Sequence, residues 1–320
     1  MKLKMKKIVI NIFISFLVLF LFDFITFVID AKTYLPSQYH TFSYYVSYYI
    51  HWYKRQANEE YLTQKYIMGT NEELQYRETI NETSNLSPII LFGCSYTYGH
   101  NISVDKIPSA VLGKYYKNPI YNRSFHGAGP QLMLYQLEQE DFYKLIPEAK
   151  FILYTYIDDH LRRLKHPCIP SIANYMDLFY KRNPLTNNKT LERIDYNNKI
   201  KKPFLVYWLT YKNGSITRSD IQFLKMHLLQ AKENMSKHWK NTKFIFFVYN
   251  KNQSYKYIKL IEKELERNGI IVIYRKDIIP FEDLDTNYCL SENDPHPNEK
   301  AWECIIPELV NELRRRGIVE

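Results

Sequence analysis

Ser95, His296 and Asp294 are the residues whose types and setting could perform nucleophilic chemistry. Ser95 lies in Gly93-Cys94-Ser95-Tyr96-Thr97-Tyr98-Gly99, directly after the apolar block Ile89-Ile90-Leu91-Phe92. A serine on the turn leaving the carboxyl end of a buried strand sits where open α/β sheets place their ligands. Backbone amides entering the next helix can stabilise an oxyanion there. A serine that is only the N-cap of a tight turn gives the same local pattern. The base is sought in Asp294-Pro295-His296-Pro297-Asn298. Each proline drives its predecessor out of the helical region, so Asp294 and His296 are both expected to be extended. Residues i and i+2 of an extended segment face the same way, which lets the carboxylate orient the imidazole as general base to a serine. The competing reading is a surface loop with a capping aspartate.

Four of the nine glycines, Gly93, Gly99, Gly127 and Gly129, fall in the serine segment and in Asn122-Arg123-Ser124-Phe125-His126-Gly127-Ala128-Gly129-Pro130. Glycine is wanted where backbone turns left-handed or approaches a substrate closely, although two ordinary turns would also use it.

The elements that must position these residues are short apolar blocks separated by helix-like stretches. The blocks are Ile89 to Phe92, Phe151 to Tyr154, Phe244 to Val248 and Ile270 to Ile273. Continuous apolar runs of that length suit strands buried on both faces. Amphipathic stretches run from Ser219 to Lys237, from Tyr255 to Arg267 with Asn268-Gly269 as a stop signal, and from Glu299 to Arg316. Their alternation predicts a parallel sheet sandwiched by helices. Leu164 to Lys202, with Pro167, Pro170, Pro184 and Asn187-Asn188, reads as an insertion that could cover the site.

Together these segments resemble the SGNH (GDSL-type) hydrolase family, over roughly Pro88 to the last residue. The family's first block reads Gly-Asp-Ser-x-[Ser/Thr]-x-Gly, and Gly93 to Gly99 matches it except that Cys94 replaces the aspartate. Its second block maps onto Asn122 and Gly127, and its last onto Asp294 and His296-Pro297. The resemblance implies a three-layer α/β/α sandwich with a parallel, flavodoxin-like sheet. It also implies a serine hydrolase in which Ser95 is the nucleophile, His296 the base and Asp294 its orienter, with Gly127, Asp158 and Asn122 at the oxyanion and substrate. No metal or organic cofactor is implied.

Two departures stand out. The third block usually supplies an Asn that donates to the oxyanion, and Tyr154-Thr155-Tyr156-Ile157-Asp158-Asp159-His160 places Asp158 there. An ionised carboxylate only accepts hydrogen bonds. Either Asp158 is protonated, or His160 or another donor replaces it, or this corner is weakened; Asp158 and Asp159 could also be structural caps. The family's aspartate more often lies three residues before the histidine, which is Asn293 here, but the i, i+2 argument favours Asp294.

With 320 residues and 46% hydrophobic content the chain can bury a sizeable core. Residues 1–7 read as a cytoplasmic basic tail, 8–29 as a transmembrane anchor, 30–86 as a stem with peripheral helices, and 87–320 as the hydrolase-like domain with insertion 164–202. The run Ile8 to Val28 has the roughly 20 residues a spanning helix needs and no cleavage site after it, which separates it from a signal peptide. Lysines kept inside put the domain on the outer face of the cytoplasmic membrane as a single-pass protein. Lys2, Lys4, Lys6, Lys7 and Arg314 to Arg316 supply seven of the +9 formal charges, so the body carries no basic stripe and no nucleic-acid partner is expected. Cys94, Cys168, Cys289 and Cys304 lack zinc-site spacing. A Cys289 to Cys304 disulfide and two free thiols remain equally compatible with spacing. The expected reaction is deacylation of an O-acyl, first of all O-acetyl, ester on an envelope glycan or lipid. The alternatives are O-acyl transfer to a sugar hydroxyl, or an inactive glycan-binding protein of the same fold.

Overall fold

The structure is a computed structural model that describes residues 14–15, 17–25, 28, 80–165, 179–182, 191–194, 216–250, 253–279, 285–292 and 294–319. Five parallel strands form the central sheet: β1 (Ile89–Phe92), β2 (Ile120–Asn122), β3 (Phe151–Tyr156), β6 (Lys243–Val248) and β7 (Ile270–Tyr274). Their order is β2-β1-β3-β6-β7. Counting only these strands, that is the 2-1-3-4-5 order of flavodoxin-like sheets, in which the winding reverses between β1 and β3. The four apolar blocks are therefore the four central and right-hand strands. Only β2 escapes the sequence pattern, because three residues give no periodicity to read.

The sheet is buried on both faces, and strand alternation deals its side chains into two cores. Ile90, Phe92, Ile152, Tyr154, Phe244, Phe246 and Val272 point to one face. That face is covered by α3 (Pro130–Leu137), α4 (Glu140–Leu145), α5 (Asp159–Lys165) and α6 (Arg218–His238). Ile89, Leu91, Phe151, Leu153, Ile245, Phe247 and Ile273 point to the other. There α2 (Pro108–Gly113) and α10 (Glu299–Arg315) cover them, α10 through Trp302, Ile305, Ile306, Leu309 and Leu313. A Thr217–Asp220 capping box opens α6, which therefore begins at Arg218, one residue before the expected start.

The stretch expected as one helix over Tyr255 to Arg267 is divided into α7 (Gln253–Lys259) and α8 (Glu262–Arg267), with Ile261 as the N-cap of the second. Ile80 forms an antiparallel bridge with Ile120, and Asn81 Nδ2 donates to the Tyr116 carbonyl at 2.7 Å. The last residues assigned to the stem thus pack on the sheet edge with the domain. Within the insertion, β4 (Phe179–Arg182) and β5 (Leu191–Ile194) pair antiparallel. Leu191 is buried and its N–H bonds Gln230 Oε1 of α6 at 2.7 Å. Residues 166–178, 183–190 and 195–202 of the insertion, including Pro167, Cys168, Pro170, Pro184 and Asn187-Asn188, lie outside the described residues, as do residues 1–13 and 29–79.

Residues 14–15, 17–25 and 28 of the apolar run are helical, and Leu19, Phe20 and Phe22 among them are exposed while Asp23 is buried. Among the described residues no helix is long and apolar enough to cross a membrane. Cys94, Cys289 and Cys304 are free thiols.

Phe246 tests the two-core architecture, because it is fully buried mid-sheet and stacks on Tyr154 with ring centroids 5.9 Å apart. Phe246→Ala is expected to cost about 3–5 kcal/mol of stability, measured by urea denaturation. A loss below about 1 kcal/mol would mean that this face is not a packed core.

Candidate active site

The crevice beyond the carboxyl ends of β1 and β3 is where the winding reverses, and Ser95 opens the short helix α1 (Ser95–Tyr98) there. Gly93 lets the turn close: a Cβ on it would lie 2.2 Å from Thr97 Oγ1. Gly99 ends the helix in the left-handed region at φ 79, its N–H bonding the Ser95 and Tyr96 carbonyls. Only glycine adopts that conformation without a Cβ penalty. Ser95 is the first helical residue, so its N–H has no intrahelical acceptor.

His296 is carried on a separate two-stranded ribbon. β8 (Cys289–Ser291) and β9 (Asp294–Pro297) are antiparallel, with Ser291 opposite Asp294 and Cys289 opposite Pro297. The extended conformation expected from the two prolines is that of β9. Asn298 fixes the ribbon to α10. Its Oδ1 caps the helix by accepting from the Ala301 N–H at 3.1 Å, and its Nδ2 donates to the Asn287 and Cys289 carbonyls, each at 2.9 Å. Ser103 Oγ donates to Glu299 at 2.6 Å, and Lys106 pairs with Glu303, so the loop after α1 is tied to the same helix.

These anchors bring the three residues into line. Ser95 Oγ lies 2.7 Å from His296 Nε2, and His296 Nδ1 lies 2.5 Å from Asp294 Oδ1. The same carboxylate oxygen accepts the His296 backbone N–H at 3.1 Å. With Nδ1–H donating to the carboxylate, Nε2 is left to accept the serine proton. Ser95 is buried, whereas His296 and Asp294 are partly open.

The loop after β2 meets the serine turn directly, since the Phe125 N–H bonds the Gly93 carbonyl at 3.2 Å. Gly127 sits in the left-handed region at φ 74 within the turn closed by the Ala128 N–H on the Phe125 carbonyl at 3.0 Å. Among the described residues no group accepts its N–H. The Asn122 side chain is engaged with loop backbone. It is buried, its Nδ2 donating to the Thr97 carbonyl at 2.9 Å and its Oδ1 accepting from the Ser124 N–H at 3.2 Å, so it braces the two loops. Asp158 is half-buried at the end of β3, and its backbone N–H is taken by Asn250 Oδ1 at 3.0 Å. His160 is no substitute donor: it is fully buried in the core beneath, with Nδ1 2.7 Å from the Tyr154 hydroxyl. Burial, aided by nearby Arg163, holds its pKa well below the ordinary histidine value. Asn293 lies outside the described residues.

Several neighbours of the site carry no motif of their own. Tyr96 packs against the His296 imidazole, with ring centroids 5.0 Å apart, and edge-on to Tyr249 at 5.2 Å. His100 lies 4.9 Å from His296 and 4.8 Å from His126, which in turn lies 4.4 Å from Tyr98. A row of rings therefore runs from the base to the Gly127 turn. The available signal was adjacency, since His100 and His126 each flank a motif glycine. Among the described residues no cluster of His, Cys, Asp or Glu could hold a metal ion.

No family model and no curated protein sequence matches the chain. Solved structures are similar to it at low identity. An acetyl xylan esterase from the rumen bacterium Butyrivibrio proteoclasticus matches at 14% identity over 73% of this chain and 64% of its own, with a TM-score of 0.46. A carbohydrate esterase family 2 enzyme with a carbohydrate-binding domain, from Corynascus thermopiles (Myceliophthora fergusii), matches at 12% over 72% and 67%, with a TM-score of 0.43. A protein described as lipolytic and of the G-D-S-L family, from Desulfitobacterium hafniense, matches at 10% over 71% and 99%, with a TM-score of 0.42. The chain thus spans a little under two thirds of the acetyl xylan esterase.

Burial opposes ionisation of Asp294, but the hydrogen bonds from the His296 ring and backbone, with His296 and His100 nearby, outweigh it and lower the carboxyl's pKa. An unfolded aspartate titrates near about 3.9. The stability this pairing contributes is present above that value and is lost as the pH falls through the lowered native one. Asp294→Asn is expected to flatten the acid limb of the stability curve below about pH 4, followed by urea denaturation at stepped pH. An unchanged limb would show that the pairing contributes nothing to acid stability.

Proposed function

We propose that this chain is a serine esterase of the SGNH type that removes an O-acyl group, first of all O-acetyl, from an envelope glycan or lipid. The observation that carries the reading is the continuous relay from Ser95 Oγ through the His296 ring to Asp294, at 2.7 and 2.5 Å. His296 Nε2 takes the serine proton as Oγ attacks the ester carbonyl, and Asp294 stabilises the imidazolium that forms. The backbone amides of Ser95 and Gly127, on loops tied by the Phe125–Gly93 bond, receive the charge that develops on the carbonyl oxygen. His296 then protonates the leaving alkoxide. It next deprotonates the water that attacks the acyl-enzyme, releasing the acid and restoring Ser95. A sugar hydroxyl in place of that water would make the reaction acyl transfer. A small acyl group suits the site because it asks for no long apolar channel.

The sequence position that carries an oxyanion Asn in the resembling family is Asp158 here, which favours a modest turnover. One lost donor costs about 100- to 1,000-fold. Fluorophosphonate labelling and p-nitrophenyl acetate hydrolysis are expected in the wild type, with Ser95→Ala and His296→Ala each losing at least about 1,000-fold in kcat/KM. A folded wild type that neither labels nor turns over would leave the inactive glycan-binding reading in place of catalysis.

The anchor belongs to the same proposal. It is supported by the apolar run Ile8 to Val28 and by the exposed Leu19, Phe20 and Phe22 in its helical part, side chains that water solvates poorly. Deletion of residues 1–29 is expected to move the protein from carbonate-washed membranes to the soluble fraction. Retention of the shortened chain on the membrane would remove the anchor from the reading.

A further inference from the structure

Beneath the Gly127 turn lies a buried cation that the relay does not use. Arg163, on α5, is fully covered except for a few per cent of its side chain. Besides a hydrogen bond to the Cys94 side chain, its donors reach in two directions. Nε and Nη2 grip Asp159 Oδ2 at 2.8 and 2.7 Å, one turn earlier on the same helix, while Nη1 reaches across to the Ala128 carbonyl at 2.6 Å. Burial opposes the charge, but Asp159, followed by the Cys94 thiol beside the guanidinium, more than offsets it and raises its pKa. A cation is not buried without cost, and a charge-assisted hydrogen bond is about twice as strong as a neutral one. That bond is directed at the Ala128–Gly129 peptide, one residue past Gly127.

We propose that Arg163, held by Asp159, is a positioning residue that fixes the Gly127 amide for the oxyanion by clamping the Ala128 carbonyl. The turn from Phe125 to Ala128 is otherwise secured at its start, by the Phe125 N–H on the Gly93 carbonyl, and internally by the Ala128 N–H on Phe125. Gly127 between them has a glycine's freedom. Without the guanidinium the downstream peptide can rotate and carry the amide off target. An ammonium at this position could not serve as well, because a point charge cannot grip Asp159 with two donors and Ala128 with a third in one plane. The inference rests on the catalytic reading of Ser95 and Gly127 given above.

The experiment compares wild type, Arg163→Lys and Asp159→Asn, the latter keeping the arginine and so serving if the lysine variant does not fold. Amide hydrogen exchange in peptides covering residues 122–130 is expected to quicken at least about tenfold in both variants, with β3 and α10 unchanged. On p-nitrophenyl acetate kcat is expected to fall about 10- to 100-fold, less than the loss of a whole oxyanion donor, at nearly constant KM. Exchange that quickens throughout the domain, or a turn that stays as protected as in wild type, would overturn the proposal. So would locally quickened exchange with an unchanged kcat. A wild type without esterase activity would instead overturn the function on which the clamp depends, while the exchange data would still report whether Arg163 holds the turn.

Discussion

The constraint from which everything else follows is that every central strand is buried on both faces. A parallel sheet of this kind needs helices above and below it, and the winding must reverse once to supply both. The reversal opens the crevice between β1 and β3 where Ser95 stands. Covering the second face requires α10, whose apolar stripe from Trp302 to Leu313 lies on Ile245, Phe247 and their neighbours. Because the ribbon bearing His296 is clamped to the start of that helix by Asn298, packing the core and assembling the relay are one event. A contact between residues 201 positions apart is thereby made without any long-range attraction between the two side chains themselves.

Much of this was legible in the residues. Four apolar blocks gave four of the five sheet strands, and the double proline at 295 and 297 gave an extended segment with Asp294 and His296 on one side. Strand β2 was not legible, since three residues flanked by turns fall below any period. The break between α7 and α8 was hidden for the opposite reason, because the apolar spacing continues through it while the backbone does not. Asn122 matched a family position, yet its amide is consumed by loop backbone. Sequence matching identifies a residue type at a place; only the fold says which groups compete for its hydrogen bonds. Arg163 was invisible by the same token, being one of two adjacent arginines in a charged helix until the structure buries it.

The polar interior under the site is arranged by distance from water. At the rim, His296 and Asp294 keep partial exposure and can exchange protons. One layer in, Asn122 and the Phe125–Gly93 bond knit the loops with neutral groups. Also buried, His160 is held toward its neutral form by burial while Arg163 keeps its charge, answered by Asp159. Groups that must change state face outward, and those that must not are sealed below.

The ribbon of β8 and β9 belongs to no larger sheet. Two strands alone are marginal, so its hold on the molecule comes largely from the Asn298 clamp and the helix behind it. Proteins open locally along their least stable units before they melt as a whole. The relay is consequently a softer object than the five-stranded sheet that carries its nucleophile. Local opening of the ribbon would separate the His296 imidazole from Ser95 while the five-stranded sheet stays folded.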